Sequence, residues 1–295
     1  MSDGRARAVT MLVVGASVIG LAPILVRLSG AGPAATGFWR LLFSLPLLAL
    51  PSLTTPNGLS GTSRFGLMAG AAFALDLAFW HYGIANTSVA KATVLTNLTP
   101  IVVTAAAWLF FHVRPAPLFL VAVAASVTGA AVMALSKELG VTGPNPLLGD
   151  TLSAVTSVWY ALYFLAMSEA RRRQGATAVM FWSSLTGVPV LLAIAWLLGE
   201  RVFPATTGGW AACVALGVVH AGGQGSIAWA LGRLPPATAS VTVLVQPVVT
   251  TALGAVLFGE FLSTWQAAGA ALALAGVVLA QVSSPRAQGP RPKAL

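Results

Sequence analysis

Residues 82–111 read YGIANTSVAKATVLTNLTPIVVTAAAWLFF, and residues 229–258 read WALGRLPPATASVTVLVQPVVTTALGAVLF. Shifted by 147 positions the two lie on each other without a gap, and the match continues so that 82–135 covers 229–282. Ala92 falls on Ala239, Pro100 on Pro247, Val102 on Val249, Thr104 on Thr251, Phe111 on Phe258 and Gly129 on Gly276. Earlier in each half, at a shift of 143, Phe38-Trp39 with Pro46 answers Phe181-Trp182 with Pro189. Apolar segments share a small alphabet and resemble one another by chance. Prolines aligned inside matching flanks argue instead for a duplicated unit.

The composition says what solvent surrounds that unit. Hydrophobic residues make up 57% of the 295, charged residues 8%, and the mean hydropathy is +0.86. A water-soluble domain carries about 25% charged residues because its surface faces water. A chain this short cannot hide so much apolar surface in its own core, so lipid is the expected partner. The 30 glycines fit close helix packing in a bilayer.

A hydrocarbon core of about 30 Å needs about 20 apolar residues in a helix. Segments 8–28, 34–53, 64–84, 88–111, 115–136, 147–169, 176–198, 208–231, 236–258 and 263–283 meet that length. Turn chemistry separates them at Ser29-Gly30-Ala31-Gly32-Pro33, Pro56-Asn57-Gly58, Gly143-Pro144-Asn145-Pro146, Gly208-Gly209 and Pro235-Pro236. Arg5 and Arg7 before an apolar run also suit a signal peptide. The repeat needs that first span, so we expect it to stay as a helix.

The net charge of +9 then reads as topology rather than as nucleic-acid binding. With the N-terminus in the cytoplasm, Arg5, Arg7, Arg64, Arg114, Arg171, Arg172, Arg173, Arg233, Arg286, Arg291 and Lys293 are inside, and only Lys137 and Arg201 fall in outer loops. That is a strong positive-inside bias. The expected fold is all-α and membrane-integral, ten transmembrane helices as two repeats over 1–140 and 141–295, both termini cytoplasmic. Five spans per half is an odd number, so the second copy enters from the opposite face. Inverted repeats of this kind let a mid-membrane site open to either side.

The chain resembles the ten-span drug/metabolite transporter superfamily in its EamA-type branch. Thr99-Pro100, Gln246-Pro247 and the run Leu257-Phe258-Gly259-Glu260 followed by Gly269 and Gly276 carry the resemblance. Val113 stands where the first half would need its counterpart of Glu260, which favours a loop-structuring role for that acid. Within the superfamily the chain is most similar to bacterial inner-membrane exporters of aromatic amino acids, on overall likeness and on Trp80-His81-Tyr82. The resemblance implies export of amino acid-like solutes by alternating access.

Polar groups inside lipid cost about 2.5–3.5 kcal/mol each on insertion scales, so each asks for a reason. Asp76 and Lys91 flank the turn at 85–87; they fit a packing ion pair, with Arg40 as an alternative partner for Asp76. They fit equally the recognition of a zwitterion, its carboxylate meeting Lys91 or Arg40 and its ammonium meeting Asp76. Thr93, Thr96, Asn97, Pro100 and Thr104 are spaced for one helical face, as are Thr242, Gln246 and Thr250, and suit either cavity lining or interhelical bonding. Trp159 and Tyr163 share a face at mid-depth, beside Tyr160, where a ring stacks a ligand or packs a core. His220 and Gln224 bracket Gly222-Gly223.

The expected substrate-binding set is thus Trp159, Tyr163, Asn97, Gln224, Gln246, Asp76, His81, Tyr82 and Lys91, with Trp159 and Tyr163 on the apolar side chain and Asp76, His81 and Lys91 towards the outer face. Gly222-Gly223-Gln224-Gly225 lacks the strand and Lys of a phosphate loop, and no HExxH or nucleophile set occurs, so neither ATP drive nor catalysis finds support. No cofactor or metal is expected, and the single Cys213 forms no internal disulfide. The rival readings are a proton-coupled exporter of cationic drugs and a membrane sensor or assembly subunit that moves nothing.

Overall fold

The computed structural model describes residues 3–51, 58–59, 61–87, 92, 95–135, 144–258 and 263–283. Helices α1 (Asp3–Ile19) and α2 (Ala22–Ser29) form one broken rod, followed by α3 (Pro33–Ala49) and α4 (Arg64–Asn86). Next come α5 (Thr99–Phe111), α6 (Pro117–Leu135), α7 (Pro146–Ala170) and α8 (Ala176–Leu197). Helix α9 (Thr207–Val219) runs through a π-helical turn at His220–Gln224 into α10 (Gly225–Leu231). The chain ends with α11 (Pro236–Thr242), α12 (Val245–Phe258) and α13 (Thr264–Ser283).

Local chemistry sets these boundaries. Proline stands in the first turn of α2, α3, α5, α7 and α11, where its missing N–H is no loss. Ser63, Asn145 and Thr206 cap α4, α7 and α9, each side-chain oxygen accepting an N–H three residues on. Gly30 ends α2 at φ 63°, a left-handed conformation that glycine adopts freely.

Six stretches among the described residues are long and apolar enough to cross a membrane: Asp3–Val26, Arg64–Asn86, Pro146–Ala170, Ala176–Leu197, Thr207–Leu231 and Thr264–Ser283. Shorter apolar helices lie between them. Large apolar side chains point outward, Leu147 at 80% exposure and Trp196 at 78%, while Arg40 and Asp76 are buried. An apolar exterior over a core that holds charge is stable only in lipid. This is a multi-pass membrane protein.

Packing respects the duplication seen in the sequence. Helix α4 packs on α7 and α8 as α9–α10 packs on α1–α2 and α3, and α5 meets α7 as α12 meets α1. Helices α3 and α8, and α6 and α13, pair with their own counterparts, and α5 meets α11. At the α6–α13 crossing, Ser126 Oγ donates to Ala273 O at 3.3 Å, and these two residues are themselves equivalent in the repeat. A Cβ on Gly129 would strike Ala273 N and Gly269 O; one on Gly276 would strike Ser126 and Ala122 O. Each glycine lets the other half's backbone approach.

The same exchange relates the two ends of the bundle. Trp39 Nε1 donates to Val202 O at 2.7 Å, and its counterpart Trp182 Nε1 donates to Leu59 O at 2.9 Å. The first contact lies at the end remote from where α1 begins (the far end); the second lies at the near end. Among the described residues, Arg5, Arg7, Arg64, Arg114, Arg171, Arg172, Arg173 and Arg233 lie at the near end and Arg201 at the far end.

Candidate functional site

Charge and aromatic rings meet at mid-depth in the bundle. Asp76 lies 12 residues from the start of α4 and 10 from its end, or about 15–18 Å from either. It is 7% exposed and faces Arg40 of α3, 2% exposed. No direct ion pair joins the two among the described residues. Lys91, the other expected partner of Asp76, lies outside the described residues, as do Thr93 and Glu260. Asp76 thus stands with Arg40, the partner the sequence offered as an alternative to Lys91.

Rings form one wall of this cluster. The Arg40 guanidinium carbon sits 5.6 Å from the Phe73 ring centre. Phe73 in turn meets Tyr163 at 4.9 Å and His220 at 5.2 Å, and Tyr163 stacks parallel to Tyr160 at 5.8 Å. His220 Nε2 bonds Ser184 Oγ at 3.1 Å. The Tyr160 and Tyr163 hydroxyls stand beside the Gln224 amide, and Tyr160 also beside Gln246. The π turn carries both His220 and Gln224 into the cluster, while Gly223 within it seats against Gly15 and Ile19 of α1. Single π turns of this kind recur at functional sites.

The donors of this cluster are not all satisfied. Arg40 Nε, Gln224 Nε2 and Gln246 Nε2 are buried without a hydrogen-bond partner, as are His220 Nδ1 and, outside the cluster, Trp159 Nε1 and Asn97 Nδ2. A buried donor left unpaired costs about 1–3 kcal/mol, so nearly all such groups in folded proteins are paired. Of the expected set, Tyr163, Gln224, Gln246 and Asp76 thus meet around Arg40 and Tyr160. Trp159 lies on the neighbouring face of α7, its ring 6.1 Å from Phe79. Asn97 sits in the break before α5.

That break corrects one expectation. The segment that carries Thr96, Asn97, Pro100 and Thr104 is not one continuous helix: it is interrupted at Asn97-Leu98, as the matching segment of the second half is at Val243-Leu244. The carbonyls released by the two prolines are satisfied locally: Thr99 Oγ1 donates to Thr96 O at 2.8 Å, and Gln246 N to Val243 O at 2.9 Å. Thr242 and Thr250 also turn out to be bonding groups. Thr250 Oγ1 donates to Gly20 O at 2.9 Å, in the break between α1 and α2, and Thr242 Oγ1 donates to Thr238 O at 2.8 Å.

His81 and Tyr82 sit further towards the far end. His81 Nδ1 lies 2.7 Å from Pro33 O, and its Nε2 is buried without a partner. The Tyr82 hydroxyl donates to Glu200 Oε1. Glu200 also accepts from Ala34 N at 3.1 Å and Ala35 N at 2.9 Å, so it caps α3 from 165 residues away. An anion at a helix N-terminus is stabilising. Nothing in the local sequence of Glu200 announces this; the signal available was an acid alone in an apolar loop. Thr87 Oγ1 donates to Asp150 Oδ1 at 2.7 Å and closes the same end.

At the near end Arg171 has a structural task. Its Nε donates to Ala228 O at 3.0 Å and its Nη1 to Gln174 O, and it lies over Gly232. Burial, and then the neighbouring Arg233, hold this guanidinium below its usual pKa. A cleft of about 230 Å³ lined by Ser63, Arg64, Phe65, Glu169, Ala170 and Arg173 opens at this end, away from the buried cluster.

The profile of the EamA-like transporter family matches residues 6–135 and 147–281. The chain belongs to the EamA-like transporter family. Its two matched stretches coincide with the halves of the repeat. A relative in sequence is a protein of Archaeoglobus fulgidus described as an uncharacterized transporter, 26% identical over 271 residues, or 91% of this chain and 94% of that one. A solved crystal structure superimposes with a TM-score of 0.79 over 94% of this chain and 98% of that chain. At 17% identity it speaks for the EamA-like chain's fold alone.

Proposed function

We propose that this protein exports amino acids, aromatic ones among them, or related small metabolites across the bacterial inner membrane, and that it is a transporter rather than an enzyme. Two inverted five-helix repeats, 1–140 and 141–295, rock on each other by alternating access, with both chain ends in the cytoplasm. The packing that maps onto itself between halves supports the repeat, and the cations gathered at the near end support the orientation.

The observation that carries the reading is the buried set of partnerless polar atoms around Asp76 and Arg40. Groups so placed at mid-membrane mark a solute pathway. Tyr163 and Trp159 flank the apolar part of the solute, Asn97, Gln224 and Gln246 its polar atoms, and Asp76 its charge. His81, Tyr82 and Lys91 bound the chamber towards the far end.

Counterflow in proteoliposomes tests this, with labelled Phe, Trp, Thr, Met and a lipophilic cation. We expect the amino acids to exchange and Trp159→Ala to lose Phe and Trp selectively. A proportional fall for every solute would reduce Trp159 to a packing residue. Exchange of the cation alone, abolished by Asp76→Asn, would favour proton-coupled drug export, and no flux of any solute would favour a sensor or subunit.

A further inference from the structure

We infer that Arg40 anchors a carboxylate and Asp76 an ammonium, so that the chamber selects a zwitterionic α-amino acid over an amine, an amide or a deaminated acid. This rests on the transport reading and names the substrate class of the same site.

A structural ion pair would close on itself, and this one does not. Arg40 and Asp76 face each other across the core, both nine-tenths or more buried, with no direct contact between them. Opposite charges in lipid are strongly attracted, so two that make no contact are each left for another group to compensate. A solute with a single charge would leave one of them uncompensated. A zwitterion neutralises both.

The hydrogen-bond inventory gives the direction. Among the unpaired groups of the cluster are three N–H donors, Arg40 Nε, Gln224 Nε2 and Gln246 Nε2, the two amides standing beside tyrosine hydroxyls without a well-formed bond to them. Tyr160 stands beside both glutamines and within electrostatic reach of Arg40 and Asp76, which places these donors around one spot. Donors in surplus call for a ligand group that only accepts, and a carboxylate is that group. Asp76 is the complement: ionised it only accepts, and it has no hydrogen-bond or ion-pair partner among the described residues.

Phe73 explains how Arg40 stays available. With its guanidinium carbon 5.6 Å from the ring centre, the cation is held by the ring face, an interaction that consumes no N–H. Phe73 is itself fixed between Tyr163 and His220. The planar fork suits a bidentate carboxylate better than an ammonium would.

The experiment is competition in counterflow, paired with ligand-induced thermal shift on detergent-purified protein. The competitors are phenylalanine, its amide, phenethylamine and phenylpropionate. For the wild type we expect phenylalanine to compete at least about tenfold better than any of the three. Arg40→Gln should erase the preference for acid over amide and keep that over phenylpropionate; Arg40→Lys should recover part of it. Asp76→Asn should do the converse.

A wild type that takes the amide or the amine as well as the acid overturns the assignment, whether or not any variant folds. So does an Arg40→Gln protein that is monodisperse and still discriminates. Thermal shifts that follow the expected pattern without flux would refute transport and leave the anchors standing.

Discussion

Alanine at Gly129 should be among the more damaging small substitutions in this protein, and its cost follows from the α6–α13 crossing. The new methyl would fall on Ala273 N and Gly269 O, well inside the about 3.5–4.0 Å at which heavy atoms rest against each other. Both obstacles are backbone, so no side chain can swing aside, and the helices must separate by on the order of an ångström. Overpacking of this kind costs about 1–3 kcal/mol. Each kcal/mol lowers the unfolding midpoint by roughly 2–4 °C in a chain of this size. Gly276→Ala meets Ser126 and Ala122 O in the equivalent way and should cost a similar amount. The double substitution should cost less than the sum, because one separation of the helices relieves both clashes. Gly225 in α10 is the control: a Cβ there meets nothing within 4 Å, and alanine gains about 1 kcal/mol of helix propensity. Thermal unfolding of purified protein, read as the loss of the monodisperse chromatographic peak, measures all four. Equal midpoints for Gly129→Ala and Gly225→Ala, or a neutral Gly276→Ala beside a damaging Gly129→Ala, would refute the symmetric crossing.

Trp39→Phe and Trp182→Phe each remove one indole bond to a carbonyl of the other half, and should each cost about 0.5–1.5 kcal/mol in the same assay. A substantial loss at only one of them would mean that the two ends are not built alike. Glu200→Ala strips the cap from α3 and the partner from Tyr82, worth about 0.5–2 kcal/mol. Faster hydrogen exchange at the Ala34 and Ala35 amides should accompany it, and unchanged exchange there would argue against the cap.

Much of the molecule was legible in the chain because it follows from short-range chemistry. The apolar runs, the prolines at helix starts and the caps at Ser63, Asn145 and Thr206 each act within a few residues. Pro100 and Pro247 pointed to helix breaks that the structure places at Asn97-Leu98 and Val243-Leu244. Thr242 and Thr250 stayed open between two uses, since a hydroxyl facing a cavity and one bonding a neighbouring backbone look alike in a sequence. The cluster was half legible. Tyr163, Gln224, Gln246 and Asp76 were singled out for being polar or aromatic inside apolar runs. Arg40 was noticed as a partner for Asp76 or for a solute carboxylate but left out of the expected set, although a charged residue in mid-span is costly to place there. Phe73 and Ser184 gave no signal, because each is ordinary for a membrane helix.

The sequence by itself determined that lipid surrounds this chain, where its apolar helical runs lie, and that stretches of one half match stretches of the other. Those properties depend on composition, on rise per residue and on spacing, all of which are written along one dimension. Tertiary structure alone decided which side chains converge. Glu200 reaches α3 across 165 residues, and Arg40 of α3 comes near Phe73 and Asp76 of α4 and Tyr160 of α7. Such meetings depend on how α3, α4 and α7 cross and on how the π turn rotates His220 and Gln224 inward. Crossing angles arise from many small packing contacts summed over whole helices, and no local stretch of residues records that sum.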